Sequence, residues 1–182
     1  FIAADLLAQA EHDPMATAIL LTTSPRLAEA VLGELPRQLA ELARGDIAAQ
    51  SLATNGLIAV VPDVATAMEL ANAYAPEHLC LLLRDPWAAL PLVRHAGGIF
   101  VGENSPEALG DYVTGPSHVM PTGGTARFFS PIHVTEFTKT ISIAAANDHA
   151  LARLGPSATA IARAEGLDGH AQAIERRLRR RG

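Results

Sequence analysis

Cysteine and aromatic residues are scarce in this chain of 182 residues. There is one cysteine, Cys80, and aromatic side chains make up only 4% of the sequence. A single thiol excludes an internal disulfide and any zinc site built from several cysteines. Because Cys80 lies in the apolar run LCLLL, we expect a buried structural thiol rather than a nucleophile.

Long apolar runs and a basic surface are also missing. No apolar stretch reaches the roughly 18 residues of a membrane span, and no signal peptide is visible. All 19 acidic residues lie in residues 1–175, against nine of the 14 basic ones. This acidic body argues against nucleic-acid binding, and the arginine run at 176–181 is typical of a solvated helix end. We therefore expect a soluble, cytoplasmic protein with no membrane or nucleic-acid partner.

The composition that remains is that of a folded domain. Hydrophobic residues make up 49% and charged residues 18% of the sequence, enough to form a core. The first residues, FIAADLL, already show helical periodicity without an initiator Met. This indicates a piece of a longer protein.

Apolar runs alternate with helical segments along the first hundred residues. We predict buried strands at 18–22, 57–62, 79–83 and 98–102. The helices between them are predicted at 25–44 with Ser24 as N-cap and a kink or split at Pro36, and at 46–55 with Asp46 as N-cap. Two more are predicted at 63–75, with Asp63 as N-cap, and at 86–96. This alternation is typical of a parallel sheet with helices on both faces.

The second half of the chain is less regular. Residues 103–131 are rich in Gly, Pro, Ser and Thr, which predicts a long functional loop. Its apolar residues Tyr112, Val119, Phe128 and Phe129 are of the type that is usually buried, so we expect the loop to be ordered. A strand is predicted at 140–146, followed by helices over 148–181 that break at Gly155-Pro156 and at Gly166. The predicted fold is therefore α/β, with a Rossmann-like parallel sheet and flanking helices in residues 1–133 and a small, mostly helical tail in 134–182.

Two short segments carry candidate functional side chains near predicted element ends. Gln9 and His12 are three residues apart on the first helix, so they share a face and can present two metal contacts. Glu77-His78 precedes a strand and can act as a general acid/base pair. The alternatives are a polar pair at a helix end and a polar turn.

Further candidates lie in the long loop and the tail. Asp111 and His118 offer oxygen and nitrogen ligands that suit zinc, while Glu165 and His170 flank the turn GLDG. The alternatives are a turn with a packed histidine and a helix corner. The sequence contains none of the HExxH, Walker A, GxSxG or GxGxxG motifs. These residues therefore indicate a metal and acid/base site but do not identify its reaction.

Five motifs in order give the chain a specific resemblance. It resembles the C-terminal part of histidinol dehydrogenase, and the N-terminal part that supplies much of the nicotinamide dinucleotide contact would lie outside it. The motifs are QAEHDP (9–14), AYAPEHL (73–79), GGIFVGENSPEALGDYVTGPSHVMPTGGTARFFSP (97–131), VTEFTKTIS (134–142) and EGLDGHA (165–171).

The resemblance implies a reaction and a ligand set. It implies a zinc enzyme that oxidises L-histidinol through L-histidinaldehyde to L-histidine with two NAD. It implies a homodimer formed with the tail, in which His170 reaches the site across the interface. By motif match the zinc ligands are Gln9, His12, Asp111 and His170, the catalytic pair is Glu77 and His78, and the substrate contacts comprise all of these except Glu77, together with His118 and Glu165.

Two other readings use the same residues. A metal-dependent hydrolase or lyase would activate water with the same His, Asp and Glu set and would turn over without NAD. A non-catalytic dimerisation and metal-binding module would bind zinc without forming NADH.

Overall fold

The computed structural model describes residues 1–179 and divides the chain into two compact units. The α/β unit spans Phe1–Phe137, and the helical unit begins at Thr138. The predicted α/β class with parallel strands, flanking helices and C-terminal helices is confirmed. The α/β unit contains α1 (Ile2–Ala10), β1 (Ile19–Thr22), α2 (Pro25–Leu39), α3 (Gly45–Asn55), β2 (Leu57–Val60), α4 (Val64–Tyr74), β3 (His78–Leu81), α5 (Pro86–Ala89), β4 (Gly98–Val101) and α6 (Glu107–Val113).

The strands pair in parallel, two by two. β1 pairs with β2, with Ile19 opposite Leu57, and β3 pairs with β4, with His78 opposite Gly98. Within the described residues these are two separate two-stranded sheets. The β3–β4 pair matters for the candidate active site because β3 begins at His78.

Small side chains let α1 pack closely inside the α/β unit. Ala3 and Leu6 pack with Ala18 and Val31, while Leu7 and Ala10 pack with Ala48. Both faces of α1 are thus held, one against α2 and β1 and the other against α3. This packing fixes the direction in which α1 carries its polar residues.

Two of the three predicted N-caps are confirmed. The side chains of Ser24 and Asp63 accept hydrogen bonds from the amides of Leu27 and Thr66, which satisfies free donors at the starts of α2 and α4. The prediction for Asp46 is wrong, because Arg44 occupies the N-cap position and Asp46 lies in the first turn of α3. α2 continues three residues past Pro36 and ends at Leu39, short of the predicted Arg44.

A buried asparagine explains why the predicted helix 86–96 is short. α5 gives way to a 3-10 turn at Leu90–Leu92. Beyond it, the side chain of Asn72 donates to the carbonyl of Leu92 and accepts from the amides of Arg94 and His95. These bonds satisfy backbone groups that a longer helix would have paired internally.

The region 103–131 differs from the predicted loop because it contains α6. The apolar residues expected to pack there, Tyr112, Val119, Phe128 and Phe129, are more than half exposed. A further 3-10 turn, Thr125–Arg127, is tied down where Arg127 donates to the carbonyls of Ala73 and Gly124.

The helical unit consists of α7 (Asp148–Ala164) and α8 (Asp168–Arg179). The predicted break at Gly155-Pro156 is wrong, since α7 runs through it and the missing Cβ of Gly155 makes room for Leu178 and Ile174. The break at Gly166 is confirmed, with φ of +73°. The predicted strand 140–146 is absent, and Ile143 in that segment is 90% exposed. The end of the arginine run, 180–181, lies outside the described residues.

Among residues 1–179, no helix combines the length and apolarity needed to cross a membrane.

Candidate active site

α1 carries the first polar group of the site. Its packing leaves Gln9 half-buried, and the Gln9 Oε1 atom is buried without a hydrogen-bond partner. α1 ends at Ala10, so His12 lies just beyond the helix instead of on it, where its carbonyl accepts from Arg44 at 3.2 Å. Gln9 and His12 therefore sit at the end of α1, one in the helix and one in the turn.

A tight turn after α4 places Glu77 and His78. Ala75 closes α4 with φ of +56°, a left-handed conformation that reverses the chain. The amides of Gly97 and Gly98 then donate to the carbonyls of Pro76 and Glu77 at 2.9 and 2.7 Å. A Cβ on Gly97 would lie 2.6 Å from the Glu77 carbonyl oxygen, so this close approach requires glycine.

α6 brings two carboxylates to His78. Glu107 and Asp111 are one turn apart and share a face. Glu107 Oε1 lies 3.2 Å from His78 Nδ1, and Asp111 Oδ1 lies 3.9 Å from His78 Nε2. Ligand atoms of the three residues all fall within 4.8 Å of one another. The imidazole is therefore held between two acids of one helix.

The approach of α6 to β4 depends on a missing side chain. A Cβ on Gly110 would overlap the ring of Phe100, which lies in β4 and whose ring centroid is 5.8 Å from that of His78. Gly110 thus lets α6 lie against the phenyl ring, and the ring in turn packs beside the imidazole.

Burial shifts the pKa values of the ionisable groups at the site, because it disfavours their charged forms. Burial, and then the charge of Asp111, raise the pKa of Glu77. Burial lowers the pKa of His78. Burial raises the pKa of Glu107 to about 7, with the charges of Asp111, Glu77 and Asp5 adding to the shift. Burial thus favours the neutral form of all three groups, as is common where titratable groups cluster at a functional site.

Several buried polar atoms here lack a protein partner. Gln9 Oε1, both ring nitrogens of His78 and Asp111 Oδ1 make no hydrogen bond within the described chain. Buried polar atoms are normally satisfied, and a bound ion is one of the accepted explanations. Nitrogen and oxygen donors of this kind suit zinc. The donor set therefore fits a divalent metal.

The structure brings together four of the predicted residues, His12, Glu77, His78 and Asp111, and geometry adds one that sequence reasoning missed. Gln9 carries one of the unpaired buried atoms, and the charge of His12 acts on both Glu77 and His78, as does that of Asp111. The missed residue is Glu107. Its signal was the E-x-x-x-D spacing of Glu107 and Asp111, which places two acids on one helix face.

The three remaining predicted residues are all exposed. His118 is exposed in the segment after α6, and Glu165 and His170 are exposed in the helical unit. The predicted zinc ligands and the geometric group of His78, Glu107 and Asp111 share only Asp111. The ligand roles remain predictions.

Known proteins match the chain over nearly its whole length. The family profile described as histidinol dehydrogenase matches residues 1–178. Histidinol dehydrogenase of Deinococcus radiodurans is 53% identical over 98% of this chain, and that of Bacillus cereus is 50% identical over 98%. A crystal structure of histidinol dehydrogenase from Elizabethkingia anophelis superposes with a TM-score of 0.93 at 35% identity, covering 98% of this chain and 41% of that one. The chain spans about two fifths of the length of its curated relatives, 41% of the Deinococcus protein.

Proposed function

The chain belongs to the histidinol dehydrogenase family, and on that premise we propose that the full-length protein oxidises L-histidinol to L-histidine through L-histidinaldehyde. The proposed reaction requires zinc and uses two NAD per turnover. The observation that carries it is the cluster of Glu77, His78 and Asp111, in which acid and base groups lie beside buried, unpaired donor atoms. If the cluster had only a structural role, those buried atoms would be hydrogen-bonded to other protein groups.

Gln9, His12 and Asp111 of this chain would hold the zinc ion, with His170 supplied by the partner subunit of a homodimer. Bound zinc supplies a positive centre that fixes the imidazole and amine of the substrate. His118 and Glu165 would complete the substrate contacts, Glu165 by pairing with the substrate ammonium. NAD is the hydride acceptor in both oxidations, and its contacts are assigned to the part of the full-length protein outside this chain.

His78 and Glu77 divide the proton transfers. In the first oxidation, in which the carbinol carbon gives up a hydride, His78 would take the hydroxyl proton. In the second, water adds to the aldehyde before the second hydride leaves, and Glu77 takes a proton from that water. The lowered pKa of His78 keeps it neutral and able to accept, and the raised pKa of Glu77 makes it a stronger base than an exposed carboxylate.

The stoichiometry of NADH tests the reaction. Zinc-loaded, full-length protein supplied with L-histidinol should form two NADH per substrate consumed, without accumulation of free aldehyde. A folded, zinc-loaded protein that forms no NADH would contradict the proposal. Turnover of a substrate in the absence of NAD would instead favour a metal-dependent hydrolase or lyase.

The division between the two bases is tested with Glu77→Gln. Because Glu77 serves only the hydration step, the variant should slow oxidation of L-histidinaldehyde by about 10²–10⁴-fold and affect oxidation of L-histidinol far less. The half-reactions are measured separately from each substrate. Equal losses in both would remove Glu77 from this role. The matched control is Glu69→Gln, on the exposed surface of α4.

A further inference from the structure

We infer that Glu107 is a positioning residue that orients the imidazole of His78 for proton transfer. The inference rests on the proposed function, because it assigns a partner to the base of that reaction. The observation is the contact of Glu107 Oε1 with His78 Nδ1 at 3.2 Å, between side chains that are 11% and 12% exposed.

The chemistry of the two groups fixes which nitrogen carries the proton. Glu107 lies 3.2 Å from Nδ1, in a contact that is not closed into a hydrogen bond in this structure, and Asp111 lies farther from Nε2, at 3.9 Å. When Glu107 is ionised its carboxylate can only accept, so the nearer nitrogen, Nδ1, is the one that would donate to it. Nδ1 then carries the hydrogen, and Nε2 keeps its lone pair. Nε2 is the nitrogen that faces Asp111, a residue of the proposed substrate and metal site. The free base of the ring therefore points to the place where a substrate hydroxyl would lie.

The surroundings of Glu107 leave it no other ionic partner. Among the ion pairs of the described residues, His78 is the only group that meets Glu107. Its other charged neighbours are acids, namely Asp5, Glu77 and Asp111, and all of them raise its pKa. A buried carboxylate among acids costs folding free energy, so its presence is explained by its contact with the imidazole.

The backbone also supports this assignment. His78 is fixed at the start of β3 by its register with Gly98, and Phe100 packs beside the imidazole. Glu107 is fixed at the start of α6, which Gly110 lets lie against Phe100. The contact between Glu107 and His78 thus joins two elements that are already in contact, as a rigid orienting contact requires.

The test uses Glu107→Leu in the full-length, zinc-loaded enzyme. The variant removes the acceptor while keeping an apolar side chain of similar size, so the melting temperature should be unchanged or higher. We expect kcat for L-histidinol to fall on the order of 10- to 100-fold, as for other residues that orient an active group. KM should stay within about threefold, and zinc content should be unchanged. Glu107→Gln, which keeps an acceptor oxygen, should lose less.

A double-variant comparison separates positioning from a structural role. If Glu107 acts through His78, adding Glu107→Leu to a His78→Asn background should cost no further activity. If the double variant lost activity by the product of the two single-variant factors, the inference would be overturned. So would a loss of zinc in Glu107→Leu, which would make Glu107 a ligand, or kcat losses that follow a lowered melting temperature in both Glu107 variants.

Two controls keep the outcomes apart. Glu69→Leu removes an exposed acid from α4 and should leave kcat unchanged. If the wild-type enzyme formed no NADH, both the proposed function and this inference would be overturned. Active wild-type enzyme with an unaffected Glu107→Leu variant would overturn the positioning role alone.

Discussion

Charged residues are used in opposite ways at the His78 site of the α/β unit and in the helical unit. Around His78, two acids that are 11% and 17% exposed meet only an imidazole. Between α7 and α8, Glu175 meets Arg163 at 2.6 Å, and on α8 it meets Arg179 at 3.4 Å, with both arginines more than half exposed. The helical unit pairs these charges at the surface, as α2 does with Arg37, Glu34 and Glu41. The site around His78 instead keeps two acids buried without a cation.

The comparison shows where stability is given up for chemistry. Exposed ion pairs add little to the free energy of unfolding, and buried unpaired acids reduce it. We therefore expect substitutions at the buried acids to change ligand binding and activity, and substitutions at the surface pairs to change stability slightly.

The largest effect is expected for Asp111→Asn in the full-length protein. Loss of the carboxylate should remove bound zinc and reduce NADH formation by more than about 100-fold, the upper effect of losing an outer-shell group. The melting temperature of the metal-free protein should not fall, since a buried negative charge is removed. Metal analysis after dialysis and a thermal melt check both. Full zinc occupancy in the variant would contradict the expectation that this buried acid serves metal binding.

The second prediction concerns the helical unit. His170→Ala should lower zinc occupancy while leaving the fold intact, because His170 is exposed and its proposed partner is the metal site of the other subunit. The measurement is zinc content after dialysis, together with the far-UV spectrum. His149→Ala, at an exposed position on α7, is the matched control. Unchanged metal content in His170→Ala would count against its ligand role.

Gly110→Ala should come next in size. The added methyl overlaps the ring of Phe100, so α6 must shift away from β4, at a cost of about 1–3 kcal/mol in unfolding free energy. Activity should fall as well, since α6 carries both acids that face His78. Denaturant unfolding and kcat measure the two effects. Gly33→Ala, where no atom lies within 4 Å, should instead stabilise α2 by about 0.5–1 kcal/mol.

The smallest effect is expected for Glu175→Gln. The change weakens the pairs with Arg163 and Arg179, which should cost roughly 0.2–1 kcal/mol. The cost should shrink at high salt, because exposed charges are screened. Denaturant melts at low and high salt provide the measurement, with zinc content expected to stay constant. A cost above that range at high salt would mean that this pair is not a surface pair in the assembled protein.

Sequence reasoning succeeded where the determining interactions are local. The caps Ser24 and Asp63 act on amides three residues ahead, and strand–helix alternation follows from short apolar runs. It failed where distant contacts decide. The segment 140–146 has the apolar character of a strand, but strand formation needs a neighbour to accept its backbone bonds, and none is described for it.

The site shows the same division. Its residue types were identified from motifs, and the geometry joins Glu77, His78 and Asp111. Glu107 was missed because its segment looks like a loop, rich in Gly, Pro and Ser. In the folded chain that segment forms α6, which lies against Phe100 at Gly110 and directs both acids at His78. The spacing of the two acids became informative once the helix was known.

Cys80 has a practical consequence for probe chemistry. It lies in β3 among apolar residues, and burial together with the charges of Asp5 and Glu107 raises its pKa to about 12. At the pH of ordinary maleimide labelling almost none of it is thiolate, the reactive form. A cysteine introduced at an exposed position of α8 would therefore be labelled selectively within this chain. A fluorophore there could test the proposed homodimer without prior removal of the native thiol.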